Sequence, residues 1–349
     1  MKRFVFVVPG DLATLTGGYA YDRRMIAELT ALGWEIEVAD IGNEFPRPSE
    51  RAKDAARARL LAVPAGTPIV VDGLAFGVLP ELAADLHVEH PLIALVHHPL
   101  ALESGIPADT AQAFHRSEQA ALSFTDGVIV TSPSTARLLA RDYRVEPEDI
   151  TVVLPGNDPK RMPASGCRTT LALLAVGSLV RRKGYDVLVA ALAELADLPW
   201  RLTIVGDRTR SPAIAMALDA DIRARGLTDR IEIVGAVSDE RLAALHADAD
   251  LFVLPSRFEG YGMAFAEAIA HGLPVIGTTA GAIPDTVPNG AAILVPPDDT
   301  AALTDALRRL IGDAAAREKL AAAARAAAAR LPTWRQSAQE FARAIEAVR

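Results

Sequence analysis

The sequence predicts an α/β protein built from two doubly wound, Rossmann-like domains with parallel sheets. Short apolar runs typical of buried strands alternate with helical stretches along almost all of the 349 residues. Such runs separated by helices indicate a parallel sheet that is covered on both faces. A single core stops growing beyond about 250 residues, so a chain of this length favours two domains. The Pro- and Gly-rich segment 155–168 breaks the alternation and is predicted to link them.

The first predicted domain covers residues 1–165 and contains six strand-like runs. They lie at 4–8, 35–41, 69–71, 92–96, 127–131 and 150–154. The most regular helical stretches between them lie at 19–32, 108–124 and 133–143. The strand runs are short and nearly unbroken in their apolar character, which is the pattern of strands buried on both faces.

The second predicted domain covers residues 166–332 and repeats this alternation. Its strands are predicted at 171–176, 201–205, 230–234, 250–254, 274–277 and 291–295. From Thr300 onwards the pattern is helical, and the alanine-rich segment 313–330 has a high intrinsic helix propensity. Pro332 interrupts it, and Trp334 begins a last helix within residues 333–349. Ligands of doubly wound domains bind at the carboxyl ends of the strands, so the site is expected there.

Composition argues against several classes of protein. The formal net charge is −8 and no basic domain is present, which argues against a nucleic-acid binder. Cys167 is the one cysteine, so an intramolecular disulfide and a cysteine-rich metal site are ruled out. The apolar run at 4–8 is too short for a signal peptide, and no run approaches the ~20 apolar residues of a membrane-spanning helix. We therefore expect a cytoplasmic protein.

One basic run lies on a predicted helix of the first domain. Its four cations are Arg51, Lys53, Arg57 and Arg59. They form either an ordinary solvated helix face or a patch that meets the anionic inner face of a membrane, as a lipid acceptor would require. The sequence leaves both interpretations open.

The segment 255–276 carries the most specific chemical signal in the chain. It follows a predicted strand, and it places Glu259 in a glycine-rich loop and Glu267 eight residues later in a helix. Gly260 and Gly262 allow the backbone to bend sharply, so the helix should begin close to them.

The start of this helix is suited to an anion. The free N–H groups and the dipole at a helix N-terminus favour a pyrophosphate. Glu259 would then lie beside that anion, while Glu267, more than a turn along the helix, would reach a neutral group that carries hydroxyls. These features together outline a site for a sugar nucleotide.

The same segment resembles a known family. Glu259-Gly260-Tyr261-Gly262, followed by Glu267-Ala268 and by Gly272-Leu273-Pro274-Val275-Ile276, is similar to the E-x7-E signature of the retaining glycosyltransferases of family 4. The resemblance implies the GT-B fold, in which two Rossmann-like domains face a cleft. It also implies that residues 333–349 cross back to the N-terminal domain, since the final helix commonly does so in the family.

The resemblance extends to the donor-binding loops. Family members usually carry Gly-Arg-Leu-x-x-x-Lys-Gly after the first strand of the second domain, and its two cations neutralise the donor diphosphate. Lys183 matches the lysine, but Ser178 stands at the arginine position, and Arg182 or Arg181 could supply the missing guanidinium. In the family, Glu267 would accept hydrogen bonds from the ribose hydroxyls. The predicted nucleotide-sugar contacts are Gly18, Arg182, Lys183, Gly206, Val234, Gly260, Tyr261, Gly262 and Glu267.

The resemblance implies three catalytic residues: Glu259, His97 and Lys183. His97 ends the predicted strand 92–96 and matches a family histidine that lies under the transferred sugar. Successive strand residues point to opposite faces, so either His97 or its neighbour has a structural role. The residues predicted on the acceptor side are Gly17, Tyr19, His98, Glu118 and Ser132.

No metal and no cofactor is predicted. Asp-x-Asp occurs at Asp219/Asp221 and at Asp248/Asp250, but the first pair falls within a predicted helix and the second precedes a buried strand. Neither offers a loop that would gather ligands around an ion. The diphosphate charge would be met by Lys183, a neighbouring arginine, backbone N–H groups and the helix dipole.

The resemblance thus implies a metal-independent, retaining transfer of a hexose from a nucleoside-diphosphate sugar to a hydroxyl of a lipid or a saccharide. A UDP-sugar is preferred because it is common in the family, and GDP stays open. Two alternatives remain: a GT-B-fold sugar-nucleotide epimerase, which would turn over donor without acceptor, and a degenerate GT-B module that only binds the nucleotide sugar. The intact Glu259/Glu267 pair argues against the second.

Overall fold

The computed structural model describes residues 2–103, 105–158 and 169–348. The chain divides into two compact units, the first formed by Met1–Gly156 with Pro332–Arg349 and the second by Asn157–Leu331. The predicted domain boundary at 165/166, most of the predicted linker and Cys167 lie outside the described residues. Each unit contains one parallel sheet of six strands flanked by helices, as the alternating pattern predicts.

The sheet of the first unit has the strand order β2-β1-β3-β4-β5-β6. Its strands are β1 Arg3–Val8, β2 Glu35–Asp40, β3 Ile69–Asp72, β4 Leu92–Val96, β5 Gly127–Val130 and β6 Ile150–Val152. All of the pairings are parallel. Every residue of β3, β4 and β5 is buried, which is why these runs are apolar throughout rather than alternating.

Seven helices belong to the described part of the first unit. They are α1 Gly17–Ala31, α2 Glu50–Leu60, α3 Gly73–Phe76, α4 Pro80–His87, α5 Ala108–Leu122, α6 Pro133–Asp142 and the terminal α14 Trp334–Ala347. The predicted helices at 19–32, 108–124 and 133–143 agree with α1, α5 and α6 within two residues at each end. The short helix α3 was not predicted, because four residues are too few to show a helical period.

The sheet of the second unit has the strand order β12-β11-β10-β7-β8-β9, again all parallel. Its strands are β7 Leu171–Val176, β8 Trp200–Val205, β9 Ile231–Gly235, β10 Leu251–Val253, β11 Val275–Thr278 and β12 Ala292–Val295. Its helices are α7 Tyr185–Ala193, α8 Pro212–Ala224, α9 Asp239–Asp248, α10 Met263–Ala270, α11 Ile283–Thr286, α12 Thr300–Gly312 and α13 Ala314–Ala328.

The order of strands fixes one preferred binding position in each unit. In the first sheet the direction of winding reverses between β1 and β3, and in the second it reverses between β7 and β10. The loops that leave two such strands diverge to opposite sides of the sheet and open a crevice at the carboxyl edge, where doubly wound proteins bind ligands. A ligand-binding or catalytic site is therefore expected among the residues that follow these four strands.

The terminal helix α14 packs within the first unit. Its Phe341 stacks on Phe6 of β1 with ring centroids 6.3 Å apart, and Trp334 meets the edge of Tyr21 at 6.0 Å. A capping box at Thr333 and Gln336 starts the helix. The apolar face of α14 therefore packs against β1 and α1, which precede it in the sequence by more than 300 residues.

The basic helix α2 carries little unbalanced charge. Lys53 pairs with Glu50 at 2.8 Å, Arg59 with Glu37 at 2.6 Å, and Arg57 with Asp85. Three of its four cations therefore have carboxylate partners, which agrees better with a solvated helix face than with a patch for anionic lipid. None of the helices in the described residues has the length and apolar character that crossing a membrane requires.

Candidate active site

Two loops at the reversal point of the second sheet bring three predicted residues together. Arg182 and Lys183 follow β7, and Glu259 follows the neighbouring strand β10. Lys183 Nζ lies 2.7 Å from Glu259 Oε1, and Arg182 Nη1 lies 3.0 Å from Oε2. Each cation thus contacts its own oxygen of a single carboxylate.

The Glu259 carboxylate is buried and ionised. Its side chain is 6% exposed, and Ser256 Oγ donates a third hydrogen bond to Oε1 at 2.6 Å. Burial alone raises the pKa of Glu259, but Lys183 and Arg182 outweigh it and lower the pKa from 4.5 to about 2. The cluster is therefore a negative charge enclosed by two positive ones at neutral pH.

The helix α10 begins directly beyond this cluster. Gly262 is its N-cap with φ +91°, a left-handed conformation in which a side chain would be strained and would press on Phe265. No side chain caps this N-terminus, so its N–H groups are left to other acceptors. Glu267 lies half-buried on the second turn of the helix, and Tyr261 is buried just before it.

Two of the predicted nucleotide-sugar contacts, Gly206 and Val234, lie at the carboxyl ends of β8 and β9. Pairing between these strands shifts after Ile204, so that Val205 faces Gly235 and Val234 is the extra residue of a bulge. Gly206 N–H donates to the Gly235 carbonyl at 2.9 Å, which gives this glycine a structural role beside its predicted one. A bulge turns main-chain groups away from the ladder, as a main-chain base contact at Val234 would need.

Sequence reasoning missed two residues of this site. Ser256 bonds to Glu259, and Arg257 contacts the backbone that carries Arg182. Both lie in the same segment as Glu259, so the sequence could have indicated them as candidates. Their partners could not be predicted from the sequence, because these contacts depend on β7 and β10 being neighbours in the sheet, which only the strand order shows.

The first unit contains a second polar cluster, again at the reversal point of its sheet. His97 follows β4, Asp72 ends β3, and Asp22 lies in the second turn of α1. His97 Nε2 lies 3.1 Å from Asp22 Oδ1 and 3.6 Å from Asp72 Oδ2. Both carboxylates are almost fully buried, whereas the His97 side chain is 19% exposed. Asp22 and Asp72 were not predicted.

The carboxylates fix the charge of His97. Burial lowers the pKa of the imidazole, but Asp22 and Asp72 raise it more, from 6.5 to about 10. Burial raises the pKa of Asp22 to about 7, although His97 lowers it, and Asp22 Oδ2 is buried with no hydrogen-bond partner among the described residues. The two carboxylates therefore favour the charged form of His97, with Nε2 engaged by both of them.

Gly18 of α1 packs against this imidazole. A Cβ atom on Gly18 would come within 3.2 Å of His97 Cδ2, so a glycine is what allows the helix to approach the ring. Thr16 caps the helix by accepting from the Tyr19 N–H at 3.2 Å, and the Tyr19 side chain is buried with its hydroxyl on the Pro9 carbonyl. Gly17 is the first residue of the helix, so its N–H lies at the open N-terminus.

The other predicted acceptor-side residues serve mainly local structure. Ser132 is buried and caps α6 by accepting from the Thr135 N–H at 3.0 Å. Glu118 is buried on α5, and its Oε2 accepts from the Leu100 N–H at 3.0 Å, just beyond the two histidines. His98 is partly exposed, with Nε2 3.5 Å from a carboxylate oxygen of Glu103. Of this set, His98 is thus the side chain that reaches the surface.

Glu118 leads to a first prediction. Burial raises its pKa to about 8, so this carboxyl group is largely neutral at pH 7. Glu118→Gln keeps an acceptor for Leu100 without the titrating proton and should leave the thermal unfolding temperature nearly unchanged at pH 7. Glu118→Ala strands the buried N–H and should cost about 1–3 kcal/mol of unfolding free energy. Denaturant titration of both variants measures the difference, and equal losses would contradict the hydrogen-bond role.

One group in the described residues has the composition of a metal site. Single ligand atoms of Asp22, Asp72 and His97 lie within 4.8 Å of one another. The ion pairs of His97 Nε2 with both carboxylates already account for this arrangement, so no cation is assigned to it.

Three of the four aspartates considered from the sequence pair with arginines or with backbone. Asp219 pairs with Arg208, and Asp221 Oδ1 lies 2.7 Å from Arg225 Nε. Asp250 Oδ2 accepts from the Ala172 N–H at 2.8 Å and thereby joins β10 to β7. These contacts give each of the three carboxylates a structural partner.

Comparison with known sequences identifies the family. Residues 170–313 match the family model described as Glycosyl transferases group 1, and residues 82–161 match the one described as Glycosyltransferase Family 4. The MMP alpha-(1->4)-mannosyltransferase of Mycolicibacterium hassiacum is 29% identical over 266 residues, which cover 72% of this chain and 64% of that protein. The chain spans less than two thirds of the length of the curated relatives it matches.

Solved structures show the same fold. The sucrose-phosphate synthase of Thermosynechococcus elongatus superposes with a TM-score of 0.84 at 23% identity and covers 98% of both chains. HepE of Anabaena in complex with UDP-glucose gives a TM-score of 0.78 at 19% identity, with 99% of both chains covered. The prediction of a GT-B fold is confirmed.

The two family models match different units. Together they include the Glu259 cluster and, from the cluster of the first unit, His97 but not Asp22 or Asp72. The first covers Arg182, Lys183 and Glu259, and the second covers His97. With the fold and the sequence matches in agreement, the chain is a GT-B-fold protein that matches glycosyltransferase family models over residues 82–161 and 170–313.

Proposed function

We propose that the protein is a retaining glycosyltransferase that moves a hexose from a nucleoside-diphosphate sugar to a hydroxyl of a lipid or saccharide acceptor, without a metal ion. The observation that carries this proposal is the Glu259 cluster. A buried carboxylate between Lys183 and Arg182, directly before an uncapped helix N-terminus, combines a sugar-positioning acceptor with the cations that a diphosphate needs.

The donor would bind through charge and main chain in the second unit. Lys183, Arg182 and the N-terminus of α10 would meet the diphosphate, and Glu267 would accept from the ribose hydroxyls. The bulge at Val234 would present main chain to the base. HepE of Anabaena is described in complex with UDP-glucose, which supports UDP as the nucleotide in the proposal.

The acceptor is proposed as a class only. The relative from Mycolicibacterium hassiacum is a mannosyltransferase and the structural neighbour from Thermosynechococcus elongatus is a sucrose-phosphate synthase, which supports a saccharide acceptor. A lipid acceptor stays within the proposal, although the paired charges on α2 do not favour a strong contact with anionic membrane. A cytoplasmic location remains a prediction.

The proposed chemistry is a front-side displacement with retention. The bond between the anomeric carbon and the phosphate oxygen breaks while the acceptor oxygen bonds to that carbon on the same face. The departing phosphate oxygen takes the acceptor proton, so no separate protein base is required. The catalytic contribution is then electrostatic, since Lys183 and Arg182 stabilise the leaving diphosphate and Glu259 holds hydroxyls of the sugar.

The sequence predicts that His97 lies under the transferred sugar. A cationic imidazole at that position would repel positive charge that develops on the sugar ring. His97 is therefore proposed as a fixed hydrogen-bond donor through Nδ1 to a substrate oxygen.

Binding of nucleoside diphosphate in the absence of metal is the first test. At about 100 times its Kd, UDP or GDP should stabilise the protein by about 2.7 kcal/mol. The measurement is thermal unfolding in EDTA with UDP, GDP and neither. A shift that requires Mn²⁺, or no shift with either nucleotide, would contradict the proposed phosphate site.

Transfer itself is tested with a panel of UDP- and GDP-sugars, incubated with total cell lipid or with small saccharides and followed by mass spectrometry. A product one hexose heavier than an acceptor is the expected result. Conversion of donor in the absence of any acceptor would indicate the epimerase instead.

Arg182 should replace the family arginine that is absent at Ser178. Its guanidinium already contacts the carboxylate that Lys183 contacts, so it lies where a diphosphate would need it. Arg182→Ala should raise the donor KM and lose about 2–3 kcal/mol of transition-state stabilisation, the range for hydrogen bonds to charged groups. The neighbouring Arg181 is exposed and its substitution by alanine is the control. Similar, near-native kinetics in both variants would show that compensation at this position is unnecessary.

A further inference from the structure

The loop that carries Arg182 and Lys183 is held by a residue outside it. Arg181–Lys183 form a single 3-10 turn after β7, too short to fix its own geometry. The Arg257 N–H donates to the Arg182 carbonyl at 2.7 Å, and Arg257 Nη1 donates to the Arg181 carbonyl at 2.5 Å. Two consecutive carbonyl groups, immediately before Lys183, are thus held by one arginine.

The Arg257 guanidinium is itself fixed from two directions. It forms a fork on Asp186, with Nη1 to Oδ1 at 3.0 Å and Nη2 to Oδ2 at 2.8 Å. Its Nε donates to Asp298 Oδ1 at 2.6 Å. Its side chain is 16% exposed, whereas both carboxylates reach solvent. Bidentate contacts of this kind restrict orientation as well as contribute attraction.

The backbone at Asp298 adds an independent observation. This residue has φ +61°, in the left-handed region that residues other than glycine rarely adopt. Such a conformation persists only where surrounding contacts maintain it. Here it accompanies the carboxylate that meets Arg257 Nε.

The charge of Arg257 is balanced by two carboxylates, so it is not free to act as a third phosphate cation. Its contacts go instead to the carbonyl groups of the cation loop. The adjacent residues complete the connection, because Arg182 Nη1 donates both to the Phe258 carbonyl at 2.8 Å and to Glu259. Residues 257–259 and 181–183 therefore form one hydrogen-bonded unit across the reversal point of the sheet.

We propose that Arg257 is a positioning residue that fixes the 181–183 loop and thereby sets the affinity of this site for the diphosphate of a nucleotide donor. This inference rests on the proposed function. Arg257 contacts no substrate in it and acts only through the position of Arg182 and Lys183. Replacing the Arg257 side chain keeps the main-chain hydrogen bond to the Arg182 carbonyl but removes the one to the Arg181 carbonyl, so the turn that positions both cations should loosen.

The test compares the affinities of wild-type protein and variants for UDP and UMP by calorimetry in EDTA, with GDP and GMP in parallel. Arg257→Ala should raise the Kd for the diphosphate at least tenfold and that for the monophosphate less, so that the ratio of the two affinities falls. Arg257→Lys, which keeps a charge for Asp186 but cannot make the fork, should recover only part of the loss. Arg308→Ala is the matched control, because Arg308 also pairs with an exposed aspartate, Asp197, but lies far along the chain on α12.

A double variant separates positioning from general destabilisation. If Arg257 acts through the loop, Arg257→Ala should cost less in an Arg182→Ala background than in wild type. Diphosphate affinity within twofold of wild type in Arg257→Ala, or an equal loss for mono- and diphosphate, would overturn the inference alone. Failure of wild-type protein to bind either nucleoside diphosphate would overturn the proposed function, and the inference with it.

Discussion

Replacing Glu259 by alanine should abolish sugar transfer while the protein still binds nucleoside diphosphate. The variant loses the carboxylate proposed to hold the sugar hydroxyls, and it removes one carboxylate partner from Lys183 and from Arg182. Removal of one preorganised electrostatic contact typically costs about 10²–10³-fold in kcat. Nucleotide affinity should be unchanged or higher, because two cations become available to phosphate. Calorimetry with UDP or GDP, beside a transfer assay, measures both quantities.

Glu267→Ala is the matched comparison, since Glu267 lies eight residues further on in α10. It should weaken nucleotide binding more than it slows the chemical step, because its proposed partner is the ribose. A Glu259→Ala variant that no longer binds nucleotide would reverse the two roles. Acid stability offers a further check on Glu259. The stability that follows from its lowered pKa is present above its ordinary pKa of 4.5 and is lost as the pH falls towards about 2.

Removal of the carboxylates around His97 should make transfer sensitive to pH. In wild-type protein the groups that face the ring are Asp22 and Tyr21 from α1 and Asp72 from the end of β3. With both carboxylates present, the pKa of His97 lies well above its ordinary value of 6.5. Asp22→Asn removes the nearer charge and lowers the pKa of His97. The kcat/KM of this variant should then fall as the pH rises from 6 to 9, a decline that wild-type protein should not show.

The size of the decrease in kcat is set by the loss of the proposed hydrogen bond from His97 to the substrate. His97→Ala should reduce kcat about 10²-fold at every pH, and His98→Ala should be milder, since His98 lies outside the carboxylate pair. Titration of the His97 ring by NMR gives the pKa without any assay of activity. A neutral His97 in wild-type protein at pH 7 would contradict the assignment.

The sign of the linked stability change follows from the same pKa. Because the folded-state value of His97 is raised, the stability it contributes is fully present below its ordinary pKa of 6.5 and is lost as the pH rises through about 10. Asp22→Asn should flatten this part of the stability profile. Urea unfolding at a series of pH values measures it.

Much of the fold could be predicted because its signals are local. Each strand of a covered parallel sheet must be apolar on both faces, so runs such as 92–96 can be recognised without their neighbours. The segment with Glu259, Gly262 and Glu267 was informative for the same reason, since a glycine-rich turn, a helix start and two carboxylates lie within a dozen residues. Lys183 was predicted because the loop that follows β7 resembles the lysine-containing loop of the family.

The partners of these residues could not be predicted, because contact across a sheet depends on the order of its strands. Arg182 and Arg181 are adjacent in sequence, and only the structure shows that Arg182 faces Glu259 while Arg181 is exposed. Arg257 contacts a loop that lies 76 residues earlier in the chain, and no local sequence pattern indicates this contact.

The sequence by itself thus determined the two-domain α/β architecture and the segments that carry the chemistry, because hydrophobic period and turn residues act over a few neighbours. Only the tertiary structure decided which charges meet. Asp22, Asp72 and His97 come from three elements, with 75 residues between the first and the last. The order of the strands places these three residues at one edge of the sheet, and burial makes the ionisation of each depend on the others. Neither effect can be predicted from the sequence alone.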